Sequence, residues 1–388
     1  MKKSTKQIYL DSASSARADS ANPSAIHEFG VIEKHKLEQA RQSVANVFSA
    51  HADEIIFTSG ATESNNLAIL GMSHGHIVTT NIEHASVLET CKHRGNVTFV
   101  EVEKNGIVDP KKIKKALRSD TVLVSVMYAN NEIGTIQPIR EIAKEIRHFN
   151  KLNKKNKQKI YFHTDATQAI NYLPIRVESL GVDLLSFNGA KIYGPKGVGV
   201  LYVKRGTPLN PIMFGGNQER GFRPGTENVK GVEELARALI ETEKIKNKEV
   251  IRLTKLRNYF LAQLPFLFSR YVRPSRIPLS KKETTVSLTI NGDLQNRLPN
   301  NINITIPKIP SDLLVIELSA HGVMASGKSA CKTGDGKASH VIKAINSRLS
   351  DTDGSLRFSL GRQTTKKDID DTVKALSHIL KKLKKWYN

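Results

Sequence analysis

This sequence is short of cysteine, and short of acid relative to base. Its 388 residues include two cysteines, Cys91 and Cys331, so a disulfide framework or a cysteine-rich metal site is excluded and no metal is expected. No apolar run approaches the ~20 residues that cross a bilayer, which argues against a membrane protein. The start, MKKSTKQIYLDSASSA, carries lysines with no apolar stretch behind them, so it does not read as a secretory signal. A cytoplasmic enzyme is the resulting expectation. Acidic residues are outnumbered: Lys+Arg 59 against Asp+Glu 37 gives a net charge of +22. Such a field attracts nucleic acids and phosphorylated ligands. The basic residues are scattered, however, and the densest run, KLNKKNKQK at 151–159, reads as an exposed connection before a strand. Solvated surface and lysine-rich codon usage account for most of the excess.

What is present is a regular alternation. From about Asp53 to Val203, β-branched runs (EIIFTS, HIVTTN, VTFVEV, TVLVSVMY, KIYFHT, DLLSFN, GVGVLYV) alternate with amphipathic stretches such as ATESNNLAIL and IREIAKEIRHF. This predicts an α/β fold with a mostly parallel seven-stranded sheet between helices. A long helix over 232–264, short strands TVSLTI, NNINITI and RFSLG, and a last helix predict a smaller α+β domain. The expected division is 1–240 and 241–388, with the first ~25 residues packing on the small domain. In open α/β sheets ligands sit outside the carboxyl ends of the strands, so polar residues ending the runs are the candidates.

Three of those ends stand out. FTSGATESNN runs strand, glycine turn, helix start; Gly60, Ala61 and Thr62 would offer free N–H groups and a hydroxyl to a phosphate. A plain capped helix, with Thr62 near the N-cap, is an equal reading. Asp165 ends KIYFHTD, where a carboxylate suits a cationic partner or a helix cap. Lys191, on a glycine-flanked loop in SFNGAKIYGPKG, can form an imine with a carbonyl ligand, whereas Lys196 reads as a turn lysine facing water. Phosphate turn, strand-end aspartate and loop lysine together meet the three needs of pyridoxal 5'-phosphate (PLP). Cys331, in ASGKSACKTGDGK, has lysines around it that favour the thiolate; Cys91 reads as a packing residue.

FTSGATESNNLAI, IEHASVLETC, YANNEIGTIQPI, HTDATQ, SFNGAKIYGPKG, GGNQERGFRPGTENV, SACKT and RFSLGR follow one another as in NifS/IscS-like cysteine desulfurases. The resemblance runs from about Ile8 to the C-terminus. It implies the fold-type I PLP architecture of class V aminotransferases, a homodimer, and conversion of L-cysteine to L-alanine with the sulfur held as a persulfide. It further implies that Lys191 carries PLP and Asp165 faces the pyridine nitrogen. His84 stacks on the ring and helps move protons, Gln168 contacts the ring hydroxyl, and Asn131 orients ring and substrate. Ala61, Thr62 and Asn188 hold the phosphate, with Thr226 reaching in from the other subunit. Arg357 binds the substrate carboxylate as a guanidinium fork, and Cys331 takes the sulfur.

The resemblance has departures. The family commonly carries a serine at Asn188 and a histidine at Ala190, both phosphate contacts; Asn188 still donates, Ala190 does not. The YLD and NPS–H motifs lack the helix that usually separates them, and KKLKKWYN ends without the tail many members use to dock an iron–sulfur scaffold. The expected sulfur acceptor is an iron–sulfur scaffold or a tRNA-thiolation enzyme. The competing readings are a selenocysteine lyase or other PLP lyase of this fold, and a non-catalytic, basic RNA-binding or scaffold homologue.

Overall fold

The computed structural model describes residues 8–16, 18–153, 158–269, 288–327, 339–350 and 353–387. The first helix, α1 (Glu28–Phe48), leads into β1 (Ile55–Thr58), α2 (Ala61–Leu70), β2 (His76–Thr80), α3 (Ala85–Arg94) and β3 (Val97–Val100). Then come α4 (Pro110–Ala116), β4 (Thr121–Ser125), α5 (Ile139–Leu152), β5 (Tyr161–Asp165), α6 (Val177–Leu180), β6 (Leu184–Asn188) and β7 (Gly199–Val203). These seven strands form one sheet in the order β1-β7-β6-β5-β4-β2-β3. All run parallel except β7, which pairs antiparallel with both β1 and β6.

Burial explains the strand sequences. β2, β4, β5 and β7 are buried at every position, as strands covered on both faces must be, whereas β3 at the sheet edge is mostly half-buried. The covering helices bury one stripe. On α5, Ile139, Ile142, Ala143 and Ile146 repeat at helical spacing and enter the main core. The parallel strands all end on the same edge of the sheet, and their carboxyl ends carry the turns that lead to Ala61, His84, Asn131, Asp165 and Asn188.

One helix, α7 (Val229–Ser269), continues through both parts of the molecule. Its first half gives Val232, Leu235, Ala236 and Leu239 to the main core; its second half gives Leu253, Phe260 and Leu264 to another. The expected division near residue 240 therefore falls inside a helix. The second core lies on a small antiparallel sheet, β10-β9-β8, made of β8 (Thr289–Ile290), β9 (Asn301–Ile306) and β10 (Gly354–Ser359). Helices α8 (Ser311–Ala320) and α10 (Lys366–Tyr387) complete it, and Phe260 meets Phe358 edge-to-face at 5.0 Å. Between them, α9 (His340–Ile345) returns to the main core through Val341, Ile342 and Ile345.

The two parts are clasped at Glu132, in the turn after β4. Its carbonyl accepts from the Nδ2 groups of Asn301 and Asn303, each at 3.0 Å, and its carboxylate accepts from Ser339 Oγ at 2.5 Å. Among the described residues no helix is long and apolar enough to cross a membrane.

Candidate active site

A cleft of about 580 Å³ opens at the carboxyl ends of the strands, between the large sheet and β10. Ala61, Thr62, His84, Asn131, Asp165 and Gln168 line it, and so do Asn188, Ala190, Lys191 and Arg357. Ten residues from six separate stretches of the chain thus meet in one hollow. Thr226, expected to serve the other subunit, is exposed and outside this cleft; Lys196 is exposed and outside it, as a turn lysine facing water should be; Cys331 lies outside the described residues.

The phosphate end is built by α2. Gly60 is its N-cap, with no side-chain cap, so Thr62 stands inside the first turn and is not the cap. First-turn N–H groups of a helix have no internal acceptor and attract anions. Close approach is what requires glycine here: a Cβ on Gly199, across in β7, would lie 2.5 Å from the Gly60 Cα. Asn188 Nδ2 lies 3.8 Å from where a Gly60 Cβ would stand, and Asn188 Oδ1 accepts the Ala190 N–H at 3.0 Å. Arg223, which does not line the cleft, pairs with Glu63 of the first turn at 3.0 Å.

The far wall is acidic. Asp165 is 6% exposed; its Oδ1 accepts the Thr167 N–H at 2.9 Å and its Oδ2 accepts Asn65 Nδ2 at 2.8 Å. It caps a turn, and no helix starts there. Beneath it on β5, His163 is buried between Ser125 Oγ (2.8 Å) and Ser186 Oγ (2.9 Å), and burial pushes its pKa down to about 4. His84 caps α3 and is half-buried; the Ser86 N–H donates to its Nδ1 at 3.2 Å. Its neighbour Glu83 is fully buried, bonded to Thr80 Oγ1 at 2.7 Å and the Met127 N–H at 3.0 Å; burial raises its pKa to about 8.

Lys191 ends a 3-10 turn directly after β6, with an exposed side chain and a carbonyl held by Asn171 Nδ2. Opposite, the Arg357 side chain donates to the Asn131 carbonyl at 3.4 Å, and its backbone pairs with Ser326. Burial lowers the Arg357 pKa while Glu132 opposes the shift, and the group stays a cation at neutral pH. Cys91 is buried, and burial pushes its thiol up to about 12, which makes it inert.

The residues fit PLP on an independent observation. Thr167 Oγ1 and Asn300 Oδ1, both in the cleft wall, are buried with no hydrogen-bond partner. Native proteins seldom leave such atoms unsatisfied, and a polar ligand supplies the missing bonds. A strand-end carboxylate, an amine and a helix N-terminus complete the cradle.

The family model described as aminotransferase class V matches residues 5–276. The chain belongs to this family. Class V aminotransferases are PLP enzymes, and so are this chain's cysteine desulfurase relatives. A protein of Dictyoglomus turgidum named cysteine desulfurase IscS is 41% identical over 98% of this chain and 92% of its own length. One of Methanosarcina thermophila with the same name is also 41% identical, over 94% and 86%. Among solved structures, a NifS-like protein superposes with a TM-score of 0.82 at 32% identity, covering 95% of this chain and 93% of that one. A structure described as SspA in complex with cysteine gives 0.68 at 31% identity, covering 89% and 92%.

Sequence reasoning missed part of this family's cleft. Asn65, Ser86 and Asn300 were not singled out. The signal for Asn65 was available: α2 buries Ala61, Ser64, Asn65 and Ala68, so two polar residues stand on its core-facing stripe. Tyr193 was missed too. It holds a positive φ of 62° at the rim, with the Arg362 guanidinium 4.1 Å over its ring.

Proposed function

We propose that this protein is a PLP-dependent cysteine desulfurase that passes sulfur from L-cysteine to its own Cys331. The observation that carries the reading is the meeting of Lys191, Asp165, His84 and Arg357 around one cleft. Similarity to proteins named cysteine desulfurase, and to one solved with cysteine, supports the substrate. PLP, when bound, supplies an electron sink that labilises bonds at the substrate's α-carbon.

The chain's own residues supply the rest. Asp165, fixed by Asn65 and Thr167, favours a protonated pyridine nitrogen. The α2 N-terminus with Asn188 takes the phosphate. Lys191 Nζ holds the cofactor covalently and moves protons once released. The Arg357 fork binds the substrate carboxylate, which sets the sulfur's direction. The substrate's Cβ–S bond breaks, its sulfur joins Cys331 Sγ as a persulfide, and the carbon skeleton gains a proton and leaves as alanine.

The same proposal includes a homodimer, in which an exposed Thr226 reaches a partner's phosphate site, and residence in the cytoplasm. Residues 1–240 carry the cofactor and 241–388 the sulfur-accepting cysteine. The sulfur leaves for an acceptor protein: a tRNA-thiolation enzyme is favoured by the +22 charge, and an iron–sulfur scaffold is the alternative.

The test starts from purified protein. It should be yellow, borohydride should fix the pyridoxyl group on Lys191, and added cysteine should give alanine with persulfide on Cys331. The Cys331→Ser protein should stay yellow and release no sulfide, while Cys91→Ser should turn over normally. Label on Lys196, or turnover lost only in Cys91→Ser, rejects the assignment. Loading Cys331 with radiolabelled sulfur then distinguishes the acceptors. Transfer to the thiolase–tRNA pair should weaken steeply with salt; rapid, salt-insensitive transfer to the scaffold alone removes the tRNA route.

A further inference from the structure

A buried polar chain runs behind the cleft from Asp165 to His84. Asn65 Nδ2 donates to Asp165 Oδ2 at 2.8 Å and to Ser86 Oγ at 2.9 Å. Ser86 Oγ lies 2.8 Å from His84 Nδ1, and the Ser86 backbone N–H points at the same nitrogen at 3.2 Å. Asn65 is fully buried and Ser86 nearly so.

We propose that Asn65 and Ser86 are positioning residues that hold His84 with its proton on Nε2, facing the cleft, and tie that choice to Asp165. The direction of every bond in the chain follows from groups that can act only one way. A backbone N–H only donates, so Nδ1 accepts and carries no proton. The Ser86 hydroxyl, at hydrogen-bond distance from the same nitrogen, therefore donates to it as well, and its lone pair is free for Asn65. Asn65 uses both Nδ2 hydrogens, one for Ser86 and one for the carboxylate. Flipping its amide would set Oδ1 against the Asp165 carboxylate, acceptor against acceptor, so the amide orientation is fixed. Neutral His84 then has one ring donor, Nε2–H, and no residue described here takes it.

Two consequences for the reaction rest on the desulfurase reading. His84 enters the cleft as a hydrogen-bond donor, able to polarise a substrate or leaving group through Nε2–H and, while neutral, unable to take a proton there. Second, the Asp165 carboxylate and the His84 imidazole move as one unit, because Asn65 and Ser86 link them. A change at either end is felt at the other through three hydrogen bonds.

The test is the tautomer itself. Protein labelled with ¹⁵N-histidine is studied by NMR with and without PLP, and the His84 signals are assigned by their loss in His84→Gln. Wild-type protein should show an unprotonated Nδ1 and a protonated Nε2 in both forms. Ser86→Ala removes one of two donors to Nδ1 and should give a mixed tautomer population. Its kcat should fall about tenfold with KM for cysteine within about twofold, the size expected for one lost hydrogen bond. Ser86→Thr should restore both readouts. Asn65→Ala should move the tautomer ratio in the same direction. A protonated Nδ1 in wild-type protein, or a ratio unmoved in both Ser86→Ala and Asn65→Ala, overturns the proposal. A protein that makes no alanine would defeat the desulfurase reading alone, since the NMR result without cofactor does not depend on it.

Discussion

Ala190 sits on the cleft wall at the position where the resemblance to NifS/IscS-like desulfurases implies a histidine, and its methyl group offers a phosphate nothing. The turn it belongs to is otherwise intact, with Asn188 holding the Ala190 N–H and its own Nδ2 near the Gly60 turn. One lost charge-assisted donor costs about 1.5–3 kcal/mol. The protein should therefore lose part of its PLP on dialysis, and Ala190→His should retain it at least tenfold more tightly, measured by the visible band against free PLP. Equal retention would mean that another residue already fills the histidine's place. Lys191 and Asp165 could be picked out of the sequence because each ends a strand run beside glycine or a polar turn. Ser86 and Asn300 could not, and Asn65 showed only as a polar residue on a buried helix face, without its role. A polar residue on a buried face has no visible purpose until the group it bonds is known, and those partners are 21 and 100 residues away for Asn65.

Two strand ends carry opposite pH liabilities. Glu83, after β2, titrates near 8 when folded against 4.5 for an ordinary carboxyl, so burial favours its neutral form. Between those values the unfolded chain has released a proton that the folded one keeps, and stability falls as pH rises from about 4.5 to about 8. His163, on β5, titrates near 4 against 6.5, so the unfolded chain binds a proton first and stability falls as pH drops from about 6.5 to about 4. The two slopes oppose each other between pH 4.5 and 6.5, and above 6.5 only Glu83 acts. Urea unfolding should show a stability decline between pH 6.5 and 8 that Glu83→Gln abolishes; a decline of equal slope in both proteins would remove Glu83 as its cause. The elements themselves were readable wherever side chains set them. α2 spans the residues its pattern marks, 61–70, between the glycines at 60 and 71 that bound it. β10 begins at Gly354, three residues before the run RFSLG, because Gly354 and Ser355 become strand only by pairing with Ile306 and Thr305 of β9. Pairing across 48 residues leaves no local trace.

At the scale of the whole molecule, the segment carrying Thr226 presents large apolar groups to water: Phe214 is 88% exposed and Met213 44%. A partner protomer covering them would bring Thr226 to the second cleft. Phe214→Glu should then shift the protein from dimer to monomer in sedimentation and weaken PLP binding together; a Phe214→Glu dimer with full PLP would move the interface elsewhere. The charge points to no single face, because the basic residues are spread along the chain, and it was legible only as a quantity. Helix α7 has the widest reach. It runs 41 residues, about 60 Å at 1.5 Å each, and lends its two halves to two different cores. Neither core can melt alone without stripping half of a continuous helix of its packing, and an unpacked half-helix is marginal in water. Cofactor gained by the large sheet therefore stiffens the small one, and the protein comes apart as a single cooperative body.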